Sequence, residues 1–107
     1  MSTLPDIRAG TVQRVEPFPE ARKPAWKLWI DFGPPLGVLR SSAQLTRRYT
    51  AEALAGTTVL ALVNIPPRRI AGFDSQVLVL GLVNPDDPAD VVLVRPDHTF
   101  VAGWRLA

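Results

Sequence analysis

Between Trp26 and Phe32 the chain alternates strictly. Trp26, Leu28, Ile30 and Phe32 fall on one side; Lys27, Trp29 and Asp31 fall on the other. A period of two over seven residues predicts a half-buried strand. Ile7 to Pro17 predicts an earlier strand carrying Ile7, Val12 and Val15, with a break in period at Gln13-Arg14 that suggests a bulge. Phe18 to Pro24, with two prolines and several charges, reads as a loop. Gly33-Pro34-Pro35 ends the second strand, and Gly37 to Ser41 reads as its return strand. A short helix is expected over Ala43–Tyr49, capped from Ser41 or Ser42, because Ser41 and Gln44 have capping-box spacing. Thr50 can cap a second turn that Gly56 closes.

Thr57 to Ile65 is apolar and β-branched enough for a central strand, which Pro66-Pro67 stops. Arg68 to Ser75 reads as a loop, Gln76 to Val83 as another strand, Asn84 to Pro88 as a turn, and Val91 to Val94 as a short apolar segment. Residues 95–107 form a tail. The runs Val59–Ile65 and Val77–Val83 are apolar almost throughout, as in strands covered on both faces. Five or six short strands, one short helix and frequent breakers predict an all-β chain folded as a small closed or partly closed barrel. At 107 residues the chain is one domain.

Composition narrows the chemistry. There is no cysteine, so disulfides, thiol catalysis and cysteine zinc sites are excluded, and His98 is the only histidine. No metal and no cofactor is expected, since no phosphate-cradling glycine loop follows any strand. Asp86, Asp87, Asp90 and Asp97 are explained by turn propensity. An enzyme is not expected. The first residues, Met1 to Asp6, lack a basic leader and an apolar core, and no run of 18 apolar residues occurs, so neither a signal peptide nor membrane insertion is expected. Twelve basic residues, ten of them Arg, stand against ten acidic ones, a net charge of +2. That balance allows a nucleic-acid partner without requiring one.

Several stretches carry a family likeness. They are Ile7-Arg8-Ala9-Gly10-Thr11-Val12, Phe18-Pro19-Glu20-Ala21-Arg22-Lys23-Pro24-Ala25, Lys27 to Gly33, and Ser41-Ser42-Ala43-Gln44-Leu45. The segment Asn64-Ile65-Pro66-Pro67-Arg68-Arg69-Ile70-Ala71-Gly72-Phe73-Asp74-Ser75 resembles the pattern Asn-x-x-Pro-x-Lys/Arg-x-x-Gly-x-x-Ser. Together they resemble the free-standing tRNA-binding-domain family. After Ser75 the run Gln76-Val77-Leu78 is more similar to that family's secretion-chaperone branch than to its tRNA-binding members. The resemblance implies a five-stranded OB-fold barrel with a short helix between strands 3 and 4 and terminal extensions, a homodimer, and a cytoplasmic location. It further implies an export-related chaperone that binds unfolded or precursor polypeptides, with the export machinery as a further partner. The alternative it implies is structure-dependent tRNA binding through a basic surface.

Candidate residues follow for each reading. Trp29 lies opposite the core side of its strand, so it is expected outside, to anchor a peptide, to stack on a base or to sit in a dimer seam. Phe73 and Trp104 are further apolar contact candidates. The tail with Val101, Trp104 and Leu106 is expected to take part in dimer packing. Lys27, Arg40, Arg47, Arg48, Arg68 and Arg69 are the RNA-binding candidates, because Arg makes directed hydrogen bonds to phosphate. Lys23 adds to their charge. Asn64 and Ser75 are expected to brace the motif loop.

Overall fold

The computed structural model describes residues 4–107; Met1–Thr3, read above as part of an N-terminus without a leader, lie outside the described residues. Strand β1 (Ile7–Pro17) is the longest. Its first half pairs with β4 (Thr58–Leu62) and its second half with β2 (Trp26–Asp31), both antiparallel. The switch falls at the bulge between Val12 and Arg14, where the strand bends from one neighbour to the next. Gly10 lies in this stretch because the two strands approach closely: a Cβ there would stand 2.7 Å from Ile30 Cγ2 and 2.9 Å from Phe32 Cδ1.

The alternation in β2 holds. Leu28, Ile30 and the following Phe32 are fully buried, while Lys27, Trp29 and Asp31 project from the other face. β3 (Val38–Ala43) returns beside β2, pairing Trp29 with Arg40 and Lys27 with Ser42. Its inner residues, Ser41 and Ala43, are small and buried against the core.

The helix expected over Ala43–Tyr49 is not there. Ala43 is still in β3, opposite Trp26, and residues 46–48 form a turn. The sheet holds Ser41 and Ala43, so the capping signal at Ser41 has no helix to start. Leu45 goes into the core, and the Trp26 indole Nε1–H donates to the Tyr49 carbonyl at 3.0 Å. The helix between strands 3 and 4 is the second turn expected from Thr50, α1 (Ala51–Leu54), where Thr50 Oγ1 accepts from the Ala53 N–H at 3.1 Å. Leu54 on that turn is fully buried, covering one end of the barrel.

The apolar run after Ser75 is two strands rather than one. β7 (Leu78–Val79) pairs with β4, and β8 (Gly81–Asn84) leaves to form a hairpin with β9 (Asp87–Leu93). Gly81 permits the close crossing, since a Cβ there would meet Val91 Cγ1 at 2.5 Å. The main sheet therefore runs β3-β2-β1-β4-β7. Its outer strands meet at Arg40. The Arg40 carbonyl accepts from the N–H groups of Gln76 and Val77 at 2.8 and 3.3 Å, and the Arg40 N–H donates to Gln76 Oε1 at 2.9 Å. Five strands thus make a nearly closed barrel of the OB type, around Val12, Leu28, Ile30, Phe32, Leu54, Val59, Ala61 and Val77.

The tail has a partner on its own chain. Residues 103–106 run antiparallel beside the start of β1, with Gly103 N–H to Ala9 O at 2.8 Å, Ala9 N–H to Trp104 O at 3.0 Å and Leu106 N–H to Ile7 O at 2.8 Å. Its backbone is fixed by the barrel, while Val101, Trp104 and Leu106 keep more than half of their surface in solvent. No helix among the described residues is long and apolar enough to cross a membrane.

Candidate functional site

Residues 68–75, expected as a loop, form a hairpin of β5 (Arg68–Ile70) and β6 (Phe73–Ser75). Two residues turn it, Ala71 at φ 45° and Gly72 at φ 82°. Two positive φ angles in a two-residue turn match the twist of paired strands. Strand alternation then sorts β6: Phe73 and Ser75 face inward and are buried, and Asp74 faces out.

The hairpin lies on the outer face of β2 and β3, the face on which OB barrels commonly receive ligands. Two anchors hold it there. Ser75 Oγ accepts from the Ser42 N–H of β3 at 2.9 Å. The Phe73 ring packs edge to face on Trp29, with centroids 5.7 Å apart, and on Phe18, at 5.5 Å. Cations surround these rings. Lys27 Nζ lies 4.8 Å from the Phe18 centroid and 5.3 Å from that of Phe73, Arg40 Cζ lies 5.7 Å from Phe73, and Arg14 Cζ lies 4.7 Å from Trp29. Each is a cation–π approach. Trp29 does lie outside the barrel, but Phe73 and Arg14 cover it.

Beside this cluster a groove of about 640 Å³ opens between the β1–β2 loop and the hairpin. Arg22, Lys23, Arg68 and Arg69 line it with Glu20, over a floor that includes Ala25 and Ile70. Arg69 is tied back: its Nη1–H donates to Asp74 Oδ1 at 2.7 Å. Arg40 Nη2 stands 3.7 Å from the other oxygen of Asp74. Among the described residues no carboxylate pairs with Arg22, Lys23 or Arg68. Three exposed cations without counter-charges therefore face one concave space, which is what an anionic polymer needs.

The remaining candidates are placed elsewhere. Arg47 and Arg48 are ion-paired with Asp87 and Asp90 of β9. Arg48 also reaches Asp90 Oδ2 from Nη2 at 3.0 Å, and Asn84 Nδ2–H donates to the same oxygen at 3.1 Å. These contacts hold the Asp90 carboxyl down at about 2. With the Tyr49 hydroxyl, which accepts from the Leu93 N–H at 3.0 Å, they fasten the β8–β9 hairpin to the barrel. Arg47 also lines a hollow of about 340 Å³ with Lys23 and Gln44, next to the groove. Asn64 braces the N-terminal segment rather than the hairpin: its Oδ1 accepts from the Asp6 N–H at 2.8 Å and its Nδ2–H donates to the Leu4 carbonyl at 2.7 Å. Trp104 is apart from Trp29 and Phe73, lining a hollow of about 250 Å³ with Leu60, His98 and Phe100. Phe18, Arg22 and Asp74 appear in the sequence reading only inside loops and the family likeness, and Arg14 only at the bulge. Their part depends on the hairpin's folding over β2, which no local pattern announces. Among the described residues no three His, Asp or Glu side chains converge to hold a metal ion.

The family model described as "Putative tRNA binding domain" matches residues 7–105. The chain belongs to this tRNA-binding-domain family. Among curated relatives, the methionine–tRNA ligase of Porphyromonas gingivalis is 33% identical over 88 residues, covering 82% of this chain and 12% of the ligase. This family member thus spans a small fraction of the ligase it matches. Among solved structures, the chaperone CsaA of Bacillus anthracis superposes with a TM-score of 0.89 at 50% identity, covering 96% of this chain and 91% of that one. The CsaA chaperone protein of Picrophilus torridus gives 0.88 at 43% identity, covering 96% and 92%. Within the stretch Asn64 to Ser75, residues 68–75 are the hairpin that walls the groove.

Proposed function

We propose that this chain is a tRNA-binding module, with the groove between the β1–β2 loop and the β5–β6 hairpin as its contact surface. The observation that carries the reading is the convergence there of Arg22, Lys23 and Arg68 without carboxylate partners. The aromatic rings beside the groove are packed on one another, so bases find few open faces to stack on. Recognition then rests on the placing of phosphates in a folded RNA, not on the reading of unstacked bases. Lys27 and Arg40 add positive potential around the groove, whereas Arg47 and Arg48 are matched by Asp87 and Asp90. Titration of tRNA at low and high salt tests the proposal, because each neutralised phosphate adds about −0.9 to the slope of log affinity against log salt. The double variant Arg68→Ala/Arg69→Ala should weaken binding at least about tenfold at low salt. An unchanged affinity rejects this surface.

A second reading has its own support. Leu78, Leu82, Val83 and Val92 are exposed on β7, β8 and β9, an unusual concentration of apolar side chains in solvent. The likeness to the CsaA chaperones favours the same view. On this reading the chain is a cytoplasmic, export-related chaperone that pairs with a second copy through these side chains, with Trp104 and the tail as a further contact. Unfolded or precursor polypeptides would be its ligands. Sedimentation should then show a dimer that Leu82→Asp dissociates, and the wild-type protein should hold an unfolded precursor in solution. A monomer at all concentrations removes the dimer from this reading.

A further inference from the structure

Asp74 has an unusual position among the charges of the site. It lies on the outward side of β6, directly opposite Arg69 across the hairpin. One oxygen accepts from Arg69 at 2.7 Å, and the other faces Arg40 at 3.7 Å. Arg69 lines the groove, and Arg40 stands over the Phe73 ring at the edge of the aromatic cluster. One carboxylate thus holds two of the site's arginines in place. All three side chains remain partly in solvent, with 38% of Arg40, 40% of Asp74 and 67% of Arg69 exposed. An anion from outside therefore has access to both guanidinium groups. Exposed ion pairs of this kind are weak enough to be exchanged.

We propose that Asp74 is a built-in counter-anion of the groove. It occupies, at Arg69 and Arg40, the place that a ligand phosphate would take. The inference rests on the reading of the groove as a tRNA site. It adds a residue that sets how strongly the groove holds a polyanion. With Asp74 in place, a phosphodiester backbone meets three unpaired cations, Arg22, Lys23 and Arg68. To engage Arg69 or Arg40 it must displace the carboxylate. Such a groove favours an RNA whose fold presents several phosphates at once over one that presents them singly. It also keeps binding moderate, so that bound RNA is released readily at cellular salt.

The test compares wild-type protein with Asp74→Asn in tRNA titrations at several salt concentrations. The amide keeps the shape of the side chain and one acceptor for Arg69, and thermal unfolding checks that the variant is folded. Asp97→Asn, which removes the same charge from the exposed segment beside the Trp104 hollow, away from the groove, is the control. Asp74→Asn should bind tRNA about tenfold more tightly at low salt, with a salt slope steeper by about one to two, since one or two more cations meet phosphate. Adding Arg69→Gln to Asp74→Asn should remove most of the gain, and Asp97→Asn should change little. Wild-type binding with an unchanged affinity and slope in Asp74→Asn overturns the inference and leaves the groove as a tRNA site. An equal gain in Asp97→Asn also overturns it, since the effect is then one of net charge. No tRNA binding by either protein overturns the inference together with the reading beneath it. A gain with an unfolded acidic polypeptide, and none with tRNA, overturns the choice of ligand.

Discussion

Replacing Phe73 by Ala separates the two ways in which the hairpin could be held. Phe73 is 7% exposed and belongs to a small cluster with Phe18 and Ala25, separate from the barrel core. Truncating a buried Phe to Ala costs about 3–5 kcal/mol. The cluster lies at the surface, so its walls can collapse in part, and the lower end, about 3 kcal/mol, is the expected loss. Phe73→Leu divides that figure. It keeps most of the buried area but removes the edge-to-face contacts with Trp29 and Phe18, each about 0.5–1.5 kcal/mol. It also removes the approaches of Lys27 and Arg40, about 0.5 kcal/mol each at such exposure. The low end of these contributions, a loss near about 2 kcal/mol, is expected for Leu, about two thirds that of Ala.

Urea unfolding followed by tryptophan fluorescence measures both. With a slope of about 1.5 kcal/mol per molar, Phe73→Ala should lower the midpoint by about 2 M and Phe73→Leu by about 1.3 M. The tRNA affinity should fall in Phe73→Ala even where the protein is still folded, because Arg68 and Arg69 lose their support. A loss below about 1 kcal/mol in Phe73→Ala would falsify the claim that this ring pins the hairpin. The Ser42–Ser75 hydrogen bond would then be the principal anchor. Equal losses in Ala and Leu would show that shape at this site, and not buried area, decides the packing.

Two further outcomes are expected from other parts of the fold. The Asp90 carboxyl sits at about 2, below its ordinary 3.8, because Arg48 and then Asn84 hydrogen-bond its charged form. A folded value below the unfolded one means that this contribution is complete above the unfolded value and fades as pH falls through the folded one. Calorimetry should therefore show wild-type Tm dropping over roughly pH 4 to 2, with a shallower drop in Asp90→Asn; parallel curves would show that the pair adds nothing. Gly103→Ala should cost at least about 2 kcal/mol, since φ is +97° and the new methyl would press on the Phe32 carbonyl, whereas Gly37→Ala, at φ +69° with open space around it, should cost about 1 kcal/mol. Thermal unfolding of the two variants, with hydrogen exchange at the Ala9 and Leu106 amides, checks whether the tail is fixed by that contact.

The legible parts of the fold are those in which side-chain period reports a two-sided surface. β2 shows this most clearly, with Leu28, Ile30 and Phe32 inward and Lys27 and Trp29 outward. The run Val77 to Val83 shows no such contrast, because apolar side chains face both ways. Its division at Leu80 is set by backbone bonding, Leu80 N–H to Leu60 O at 2.9 Å, which side chains do not announce. Of the two helical turns expected, the one over 43–49 is absent and the one capped by Thr50 forms, at 51–54. Sheet pairing of Ser41 and Ala43 decided it, and that is a tertiary effect. The hairpin over 68–75 lacked the usual Asn-Gly or Asp-Gly turn, having Ala71-Gly72 instead. The tail's pairing with β1 joins residues more than 90 positions apart, and such a partner leaves no local trace.

The sequence shows which cations a candidate site can draw on but not their arrangement, for an electrostatic reason. The sequence counts cations; binding depends on which of them lack carboxylates. Arg8, Arg14, Arg47 and Arg48 are each matched with an acid, and Arg40 and Arg69 share one. Asp87 and Asp90, which answer Arg47 and Arg48, sit on a hairpin forty residues further along the chain. A net charge of +2 is therefore a poor guide to the field around the protein. At physiological salt the screening length is about 8 Å, so a ligand senses the few charges nearest to it rather than the total. Arg22, Lys23 and Arg68 line one space with a single carboxylate, Glu20, among them. On the β9 side each arginine comes with its acid, and the field there largely cancels. That asymmetry directs an approaching polyanion to the groove, and it would do so equally in a chain whose overall charge was zero.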